Sequence, residues 1–358
     1  MAKNVKIIYN DDGSDEYVFG GEKMRLDSIS KTAKHIEATL KALGYTTGLI
    51  ALKDTCHGLD NFIRKIKGAE DSMIFNLCEG YGTSYYEMHV AALLELYDLK
   101  FTGSPPLTLA LALNKAFAKD VLRGANVPTP GYCVLREPPE ELSRGLDFPL
   151  IVKPLMEDAS VGIEADSVVG TMEELRKRVG YIVEEYSQPV IVEEYIDGRE
   201  FNVSLLGNGE KKMILPPAEL KFVDFPENAP RICCYESKWI KKSPFYNKTV
   251  PVCPAEIDSA MKDKLSEVAL RAHNAIGCLD YARVDMRLDS RGRIGVLEVN
   301  PNPDISEEAG FARAARAAGI VYPELIEKIV SIAEARYSED EIKGGWEDET
   351  PPARCGEA

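Results

Sequence analysis

Short apolar runs alternate with amphipathic stretches through the first hundred residues. Val5 to Tyr9, Thr46 to Leu52 and Ser72 to Leu77 read as strands, whereas Ser28 to Leu43, Asn61 to Ile66 and Tyr85 to Tyr97 place their apolar residues at helical spacing. Strands that alternate with helices imply a parallel sheet, because a helix must carry the chain back before the next parallel strand starts. Asp27-Ser28-Ile29-Ser30 supplies a capping residue for the first helix and Gly44 its stop. The pattern breaks at Pro105-Pro106, resumes as a helix over Leu107 to Leu122, and breaks again at Gly124 and Pro128.

The order then changes. Tyr132 to Leu135, Leu150 to Lys153, Met172 to Glu185, Val190 to Glu194 and Glu200 to Leu206 read as strand, strand, helix, strand, strand, a mostly antiparallel α+β layer. Pro216 to Pro254 has no periodicity and is long enough to predict a functional loop. A helix from Ile257 to Ile276, strands Asp280 to Leu288 and Ile294 to Asn300, and helices Ser306 to Ala318 and Pro323 to Ala335 complete the pattern. Beyond Tyr337 the chain is acidic and poor in apolar residues, which predicts a disordered tail. The expected units are residues 1–104, 105–208, 209–337 and the tail 338–358.

Composition adds exclusions. The 358 residues carry a formal charge of −15 and no basic cluster, so the chain lacks the surface needed to neutralise nucleic-acid phosphates. Eight cysteines form no CxxC pair and have no histidines at zinc spacing, and no apolar segment approaches a membrane span. A cytoplasmic protein with reduced thiols is expected.

The densest chemistry lies in the last two strands. If Asp289 to Gly292 forms a two- or four-residue turn, Arg283 faces Glu298 and Asp285 faces Val296, so that Arg283, Asp285, Glu298 and Asn300 project from one side. A three-residue loop would scatter them. Two carboxylates and an amide oxygen suit Mg2+, and the arginine can stabilise an oxyanion; a surface Arg283–Glu298 salt bridge is the plainer reading of the same residues. Lys153 ends an apolar strand before Pro154, and the small-residue turn Glu157-Asp-Ala-Ser-Val-Gly162 offers backbone N–H groups and Ser160 to phosphate oxygens. Glu193 and the linker after it are placed to meet a purine edge, and Glu200 to accept ribose hydroxyls; surface charge is the alternative.

In order along the chain, Thr102-Gly-Ser104, Lys115, Ile151-Val-Lys-Pro154, the small-residue loop, Val192-Glu-Glu194, Gly198-Arg-Glu-Phe201, Glu236-Ser-Lys238, Cys253-Pro-Ala255, Arg283-Val-Asp285 and Leu297-Glu-Val-Asn300 resemble the ATP-grasp superfamily, and within it the D-alanine–D-alanine ligase family. The resemblance implies an ATP-grasp fold, an open parallel α/β domain followed by two α+β domains enclosing an ATP cleft. It implies ATP phosphates on Lys115 and Lys153, adenine on Glu193 and Ile196 with Glu194 and Tyr195 in the same stretch, and ribose on Glu200. Lys238 would reach the γ-phosphate from a mobile loop, with Ser160 assisting. Asp285, Glu298 and Asn300 would bind two Mg2+ ions, with Mn2+ as a substitute, and Arg283 would stabilise a tetrahedral intermediate. The implied reaction joins a small carboxylate to an amine through an acyl phosphate, with the loop from Pro216 to Pro254 as a lid; the implied assembly is a homodimer.

The substrate pockets depart from the family. Its Gly-Gly-x-Ser-x-Glu-His element has no counterpart near Asp11 to Gly21, Ala159 replaces a serine, and Trp239 replaces a tyrosine. Asp304 replaces a glycine and Ala309-Gly310 a Ser-Leu pair, so altered substrates are expected. Arg313 and Arg316 read as solvated helix residues, and His57 and His89 lie near no motif.

Overall fold

The computed structural model describes residues 3–11, 16–19, 22–25, 29–53, 55–79, 86–158, 160–225, 229–234, 236–237, 243 and 245–338. The expected helix cap at Asp27 and Ser28, together with Ala159, Lys238, Trp239 and the tail beyond Ser338, lies outside the described residues.

The first part reads β1 (Asn4–Asp11), β2 (Glu16–Phe19), β3 (Glu22–Arg25), α1 (Ile29–Ala42), β4 (Thr46–Lys53), α2 (Gly58–Lys67), β5 (Met73–Leu77) and α3 (Tyr86–Leu96). β1 runs parallel between β4 and β5. Its run is apolar because both faces are covered: Val5 and Ile7 pack with Ile36 and Leu40 of α1, while Ile8 packs with Phe62 and Ile66 of α2. The helix expected over Leu107 to Leu122 is two helices, α4 (Pro106–Leu113) and α5 (Lys115–Gly124). Asn114 between them is extended, and its side chain accepts from the N–H groups of Ala116 and Phe117, which caps α5.

Next come β6 (Tyr132–Leu135), β7 (Leu150–Pro154), β8 (Val168–Val169), α6 (Met172–Tyr186) and β9 (Val190–Glu194), whose strands form an antiparallel sheet in the order β6-β9-β7-β8. Leu150, Val152, Val190 and Val192 pack against Leu175, Val179 and Ile182 of α6. The opposite face, with Ile151, Lys153, Ile191 and Glu193, is left for the site.

β10 (Gly198–Leu206), β11 (Met213–Ile214), β12 (Ala218–Phe222), β13 (Thr249–Val252), α7 (Ser259–Ile276), β14 (Tyr281–Asp289) and β15 (Ile294–Asn300) build the third sheet, ordered β13-β12-β10-β14-β15 with β11 on the end of β10. β10 was expected to belong with the preceding strands. It pairs instead over nine positions with β14, so a division at 208 separates it from its own sheet. The chain changes sheets at Gly198, where an added Cβ would stand 2.0 Å from the Leu288 carbonyl oxygen. The stretch Pro216 to Pro254 is not all loop, since β12 and β13 are its ends; between them Ile232, Cys234 and Phe245 lie against Ile151. α8 (Gly310–Ala317) and α9 (Tyr322–Arg336) follow, and α9 returns to the first sheet, burying Leu325, Ile329 and Val330 with Ile7 and Phe75.

Candidate active site

One face of the third sheet is apolar. Phe201, Val203, Val284, Met286, Val296 and Val299 pack with Leu265 and Ala269 of α7. Strand alternation therefore sends the residues between them to the other face. There Glu200 opposes Arg287, Asn202 opposes Asp285, and Ser204 opposes Arg283 across β10 and β14.

Arg283, Asp285, Glu298 and Asn300 do converge, but in another register. Asp285 pairs with Glu298 and Arg283 with Asn300. The loop is the three-residue one: Asp289 N–H donates to the Arg293 carbonyl at 3.0 Å, and Gly292 takes the left-handed φ of 77° that such a loop requires. By itself it would turn Glu298 and Asn300 to the apolar side. A β-bulge opposite the Asp285–Met286 step inserts Leu297 as an extra residue and restores the phase.

Asp285, 6 % exposed, is fully engaged. Arg283 donates Nε to Oδ1 and Nη2 to Oδ2, both at 2.7 Å, while Asn202 donates to Oδ1 at 2.6 Å and Asn300 to Oδ2 at 3.0 Å. Asn300 Nδ2 is also 3.4 Å from Glu298 Oε1. Burial works against the Arg283 charge, but Asp285, Glu298 and Asp304 outweigh it and keep the guanidinium protonated. The donor set fits a hard cation in kind. Asn300's amide already bridges the two carboxylates with its positive end, and rotating that amide presents its oxygen to an ion in the same place. Among the described residues no three His, Cys, Asp or Glu side chains form a metal cluster.

On the second sheet's open face Lys153 Nζ donates to Glu193 Oε2 at 3.0 Å. Lys119 of α5, absent from the sequence reading, stands 3.4 Å from Glu193 Oε1 and also donates to Thr129 Oγ1 at 3.1 Å and to the Leu297 carbonyl at 3.3 Å. It thus links this sheet to the bulge of β15. Burial raises the Glu193 carboxyl, but Lys119, Lys153 and Lys115 more than offset this and hold it below the usual range; burial pulls Lys119 down to about 8. Glu193 is completely buried; its Oε2 accepts from Lys153, while Oε1 lies 3.4 Å from Lys119 and has no hydrogen-bond partner among the described residues.

Lys115 donates to the Glu157 carbonyl and so fastens the small-residue turn, in which Ser160 has a left-handed φ of 65°. Glu200 accepts two hydrogen bonds from Arg287, at 2.8 and 3.2 Å, and Arg287 Nη1 donates to the Ile196 carbonyl at 3.0 Å. The Tyr195 ring lies 5.5 Å from the Arg287 guanidinium. Glu194 does not join this group: it points to the sheet's other side and pairs with Arg293 at 2.7 Å. Arg313 and Arg316 donate to the carbonyls of Glu308 and Glu307, bracing the turn before α8. Asn202, Arg287 and Lys119 were missed, although period-two spacing from Glu200 and Asp285 and a one-turn step from Lys115 marked each of them.

A family model described as D-ala D-ala ligase C-terminus matches residues 124–331. Uncharacterized protein y4sG of Sinorhizobium fredii is 36 % identical over 316 residues, covering 88 % of this chain and 90 % of that protein. A D-alanine–D-alanine ligase of Marinomonas sp. is 29 % identical over 319 residues, 88 % of this chain and 94 % of that one. The crystal structure of D-alanine–D-alanine ligase from Bacillus anthracis complexed with ATP superposes with a TM-score of 0.71 at 23 % identity, over 96 % of this chain and 100 % of that chain, which shows a common fold. With a parallel sheet leading into two antiparallel sheets and more than half its length inside the family match, the chain belongs to the D-alanine–D-alanine ligase family and is a C–N bond-forming ligase of the ATP-grasp fold.

Proposed function

We propose that this ligase uses ATP to convert a small, amino-acid-like carboxylate into an acyl phosphate and transfers the acyl group to an amine, releasing ADP and phosphate. The observation that carries the reading is the convergence of Arg283, Asp285, Glu298 and Asn300 on one sheet face, tied through Lys119 to the Lys153–Glu193 pair on the other. A carboxylate is a poor electrophile until one oxygen becomes a leaving group. Lys153, oriented by Glu193, and Lys115, beside the turn containing Ser160, supply positive charge and backbone donors for phosphates. Ile196 and Tyr195 offer the apolar lining for a nucleotide base, and Glu200, steadied by Arg287, the ribose acceptor. Glu194 borders that stretch and pairs with Arg293 on the other side of the sheet.

Asp285, Glu298 and Asn300 would hold Mg2+, two ions with substrate oxygens completing their shells, and Mn2+ as a substitute. A divalent ion there supplies charge neutralisation during phosphoryl transfer. Arg283 then turns from Asp285 toward the oxyanion that forms when the amine attacks. Lys238 takes the γ-phosphate role that the resemblance gives it. Among the described residues no helix is long and apolar enough to cross a membrane, and we read the protein as a cytoplasmic homodimer with no nucleic-acid partner.

The altered pockets favour substrates other than D-alanine, while the relatives' names support D-alanyl-D-alanine formation as the second reading. Release of ADP and phosphate from Mg-ATP, measured across D- and L-amino acids and simple carboxylates with and without amines and followed by mass spectrometry of the product, distinguishes them. A substrate-dependent condensed amide is expected. ATP binding without turnover across that panel would overturn ligation in favour of a nucleotide-binding regulator.

A further inference from the structure

Arg287 is 3 % exposed and stands opposite Glu200 on the polar face of the third sheet. Its Nε and its Nη2 both donate to the same carboxylate oxygen, Glu200 Oε2, at 3.2 and 2.8 Å. Among the described residues no hydrogen bond reaches Glu200 Oε1, and the side chain keeps 12 % of its surface open. The other donors of the guanidinium reach further: Nη1 donates to the Ile196 carbonyl at 3.0 Å, and Nη2 to the Arg231 carbonyl. The ring centroids of Tyr195 and Phe222 lie 5.5 and 5.7 Å away. Burial works against the Arg287 charge, but Glu200 and Tyr195 outweigh it and keep the guanidinium protonated.

This pairing differs from the other two arginine–carboxylate pairs of the sheet. Arg283 gives one nitrogen to each oxygen of Asp285, and Arg199 gives Nε to Oε1 and Nη2 to Oε2 of Glu219, the fork-to-fork geometry that occupies a carboxylate fully. Arg287 spends two donors on one oxygen of Glu200 and orients the group without consuming it. The same cation holds the Tyr195–Ile196 linker, where the chain passes from the second sheet to the third, and Arg231, in the stretch between β12 and β13. A guanidinium this deeply buried is costly unless its donors are answered, and a carboxylate and two carbonyls answer them.

We infer that Arg287 is a positioning residue for nucleotide selection: by gripping Glu200 through Oε2 it turns Oε1 toward the sugar hydroxyls and makes the site prefer a ribonucleotide to its deoxy counterparts. The inference rests on reading this face as the ATP site and names what sets the sugar preference there. A carboxylate oxygen accepts from a hydroxyl in a charge-assisted hydrogen bond, and a nucleotide that lacks the hydroxyl leaves that oxygen desolvated with no donor. Without Arg287 the carboxylate turns about its side-chain torsions and pairs with water, and the difference between the sugars shrinks. The guanidinium also fixes the Ile196 carbonyl, so the linker that lines the base and the acceptor for the sugar keep one spacing.

The test is calorimetric titration of the full chain, in Mg2+, with ATP, 2′-deoxy-ATP and 3′-deoxy-ATP. The unaltered protein should bind ATP about 10-fold or more tighter than at least one deoxy analogue. Arg287→Lys keeps the charge without the guanidinium geometry and should cut that ratio about 3-fold or more, Arg287→Met should bring it to about 1, and neither should lower it further in a Glu200→Ala background. The ratio is taken within one protein, so a loss of stability alone weakens all three nucleotides alike and does not move it. If Arg287→Met fails to fold, Arg287→Lys and Glu200→Ala decide. Equal binding of ATP and both analogues by the unaltered protein, or a ratio unmoved in the folded variants, overturns the inference and leaves the ATP site standing. An unaltered protein that binds no nucleotide overturns the ATP reading and the inference together. ADP release plays no part in the measurement, so a failure of ligation leaves the result readable.

Discussion

At the residue scale the polar face of the third sheet works as a set of mutual constraints. Asp285 has four acceptor positions, and Arg283, Asn202 and Asn300 fill them. A cation held there, as proposed, would displace some of these donors and free Arg283 to meet an oxyanion. Arg283→Lys keeps the charge and loses the fork, so kcat is expected to fall by about 100-fold or more with KM for ATP changed only a few-fold. Glu298→Ala removes a proposed metal ligand, and turnover should drop below about 1 %; undiminished ADP release by that variant would sink the metal-site proposal. Lys119 is structural as well as electrostatic. Lys119→Met leaves Glu193 with one lysine and the Leu297 carbonyl with none, an expected loss of about 2–4 kcal/mol by urea unfolding.

At the element scale, β15 reaches its phase through two irregularities that cancel. The three-residue loop shifts the pairing by one, and the bulge at Leu297 shifts it back, so neither can be read from alternation alone. β10 depends on Gly198, and Gly198→Ala drives a methyl into the Leu288 carbonyl; loss of soluble folded protein, or a melting point lower by several degrees, is expected. α7 carries His273, completely buried, with both ring nitrogens unpartnered among the described residues. Burial, and then the Lys212 charge, lower it to about 4. The unfolded chain takes up this proton near pH 6.5 and the folded chain only near 4, so its share of stability is intact above pH 6.5 and is lost as pH falls toward 4, about 3 kcal/mol in all. His273→Leu should therefore show a flatter dependence of unfolding free energy between pH 7 and 4.5.

At the scale of the whole molecule, the three sheets meet at a few buried polar knots. Asp280, completely buried, accepts from the Gly103 N–H and from Asn208 Nδ2, both at 2.8 Å, and lies 3.5 Å from Arg336 of α9. Asn302 accepts from the Ser104 N–H at 3.0 Å and donates to Glu87. The segment after the first sheet, the end of β10, the exit of β15 and the last helix are thereby joined. Asp280→Ala leaves the Gly103 N–H and Asn208 amide without their acceptor and Arg336 without its carboxylate, and thermal unfolding should show a loss of about 3–5 kcal/mol. Its effect should reach the N-terminal sheet too, because α9 packs there.

The sequence by itself determined the elements and their chemistry. Two-residue and helical periodicities separated a parallel unit from antiparallel ones, and the order of short motifs named the family and singled out Arg283, Asp285, Glu298, Asn300, Lys153 and Glu193. Those signals are local, set by which face of a strand or helix each side chain must occupy. Only the tertiary structure decided which sheet β10 joins, that a bulge offsets the loop, that Glu193 lies between Lys119 and Lys153, and that Glu79, Glu87 and Asp304 share a cleft with Tyr281. Each of these rests on contacts between residues far apart in the chain, whose registry follows from the packing of whole sheets and leaves no periodic trace in either partner.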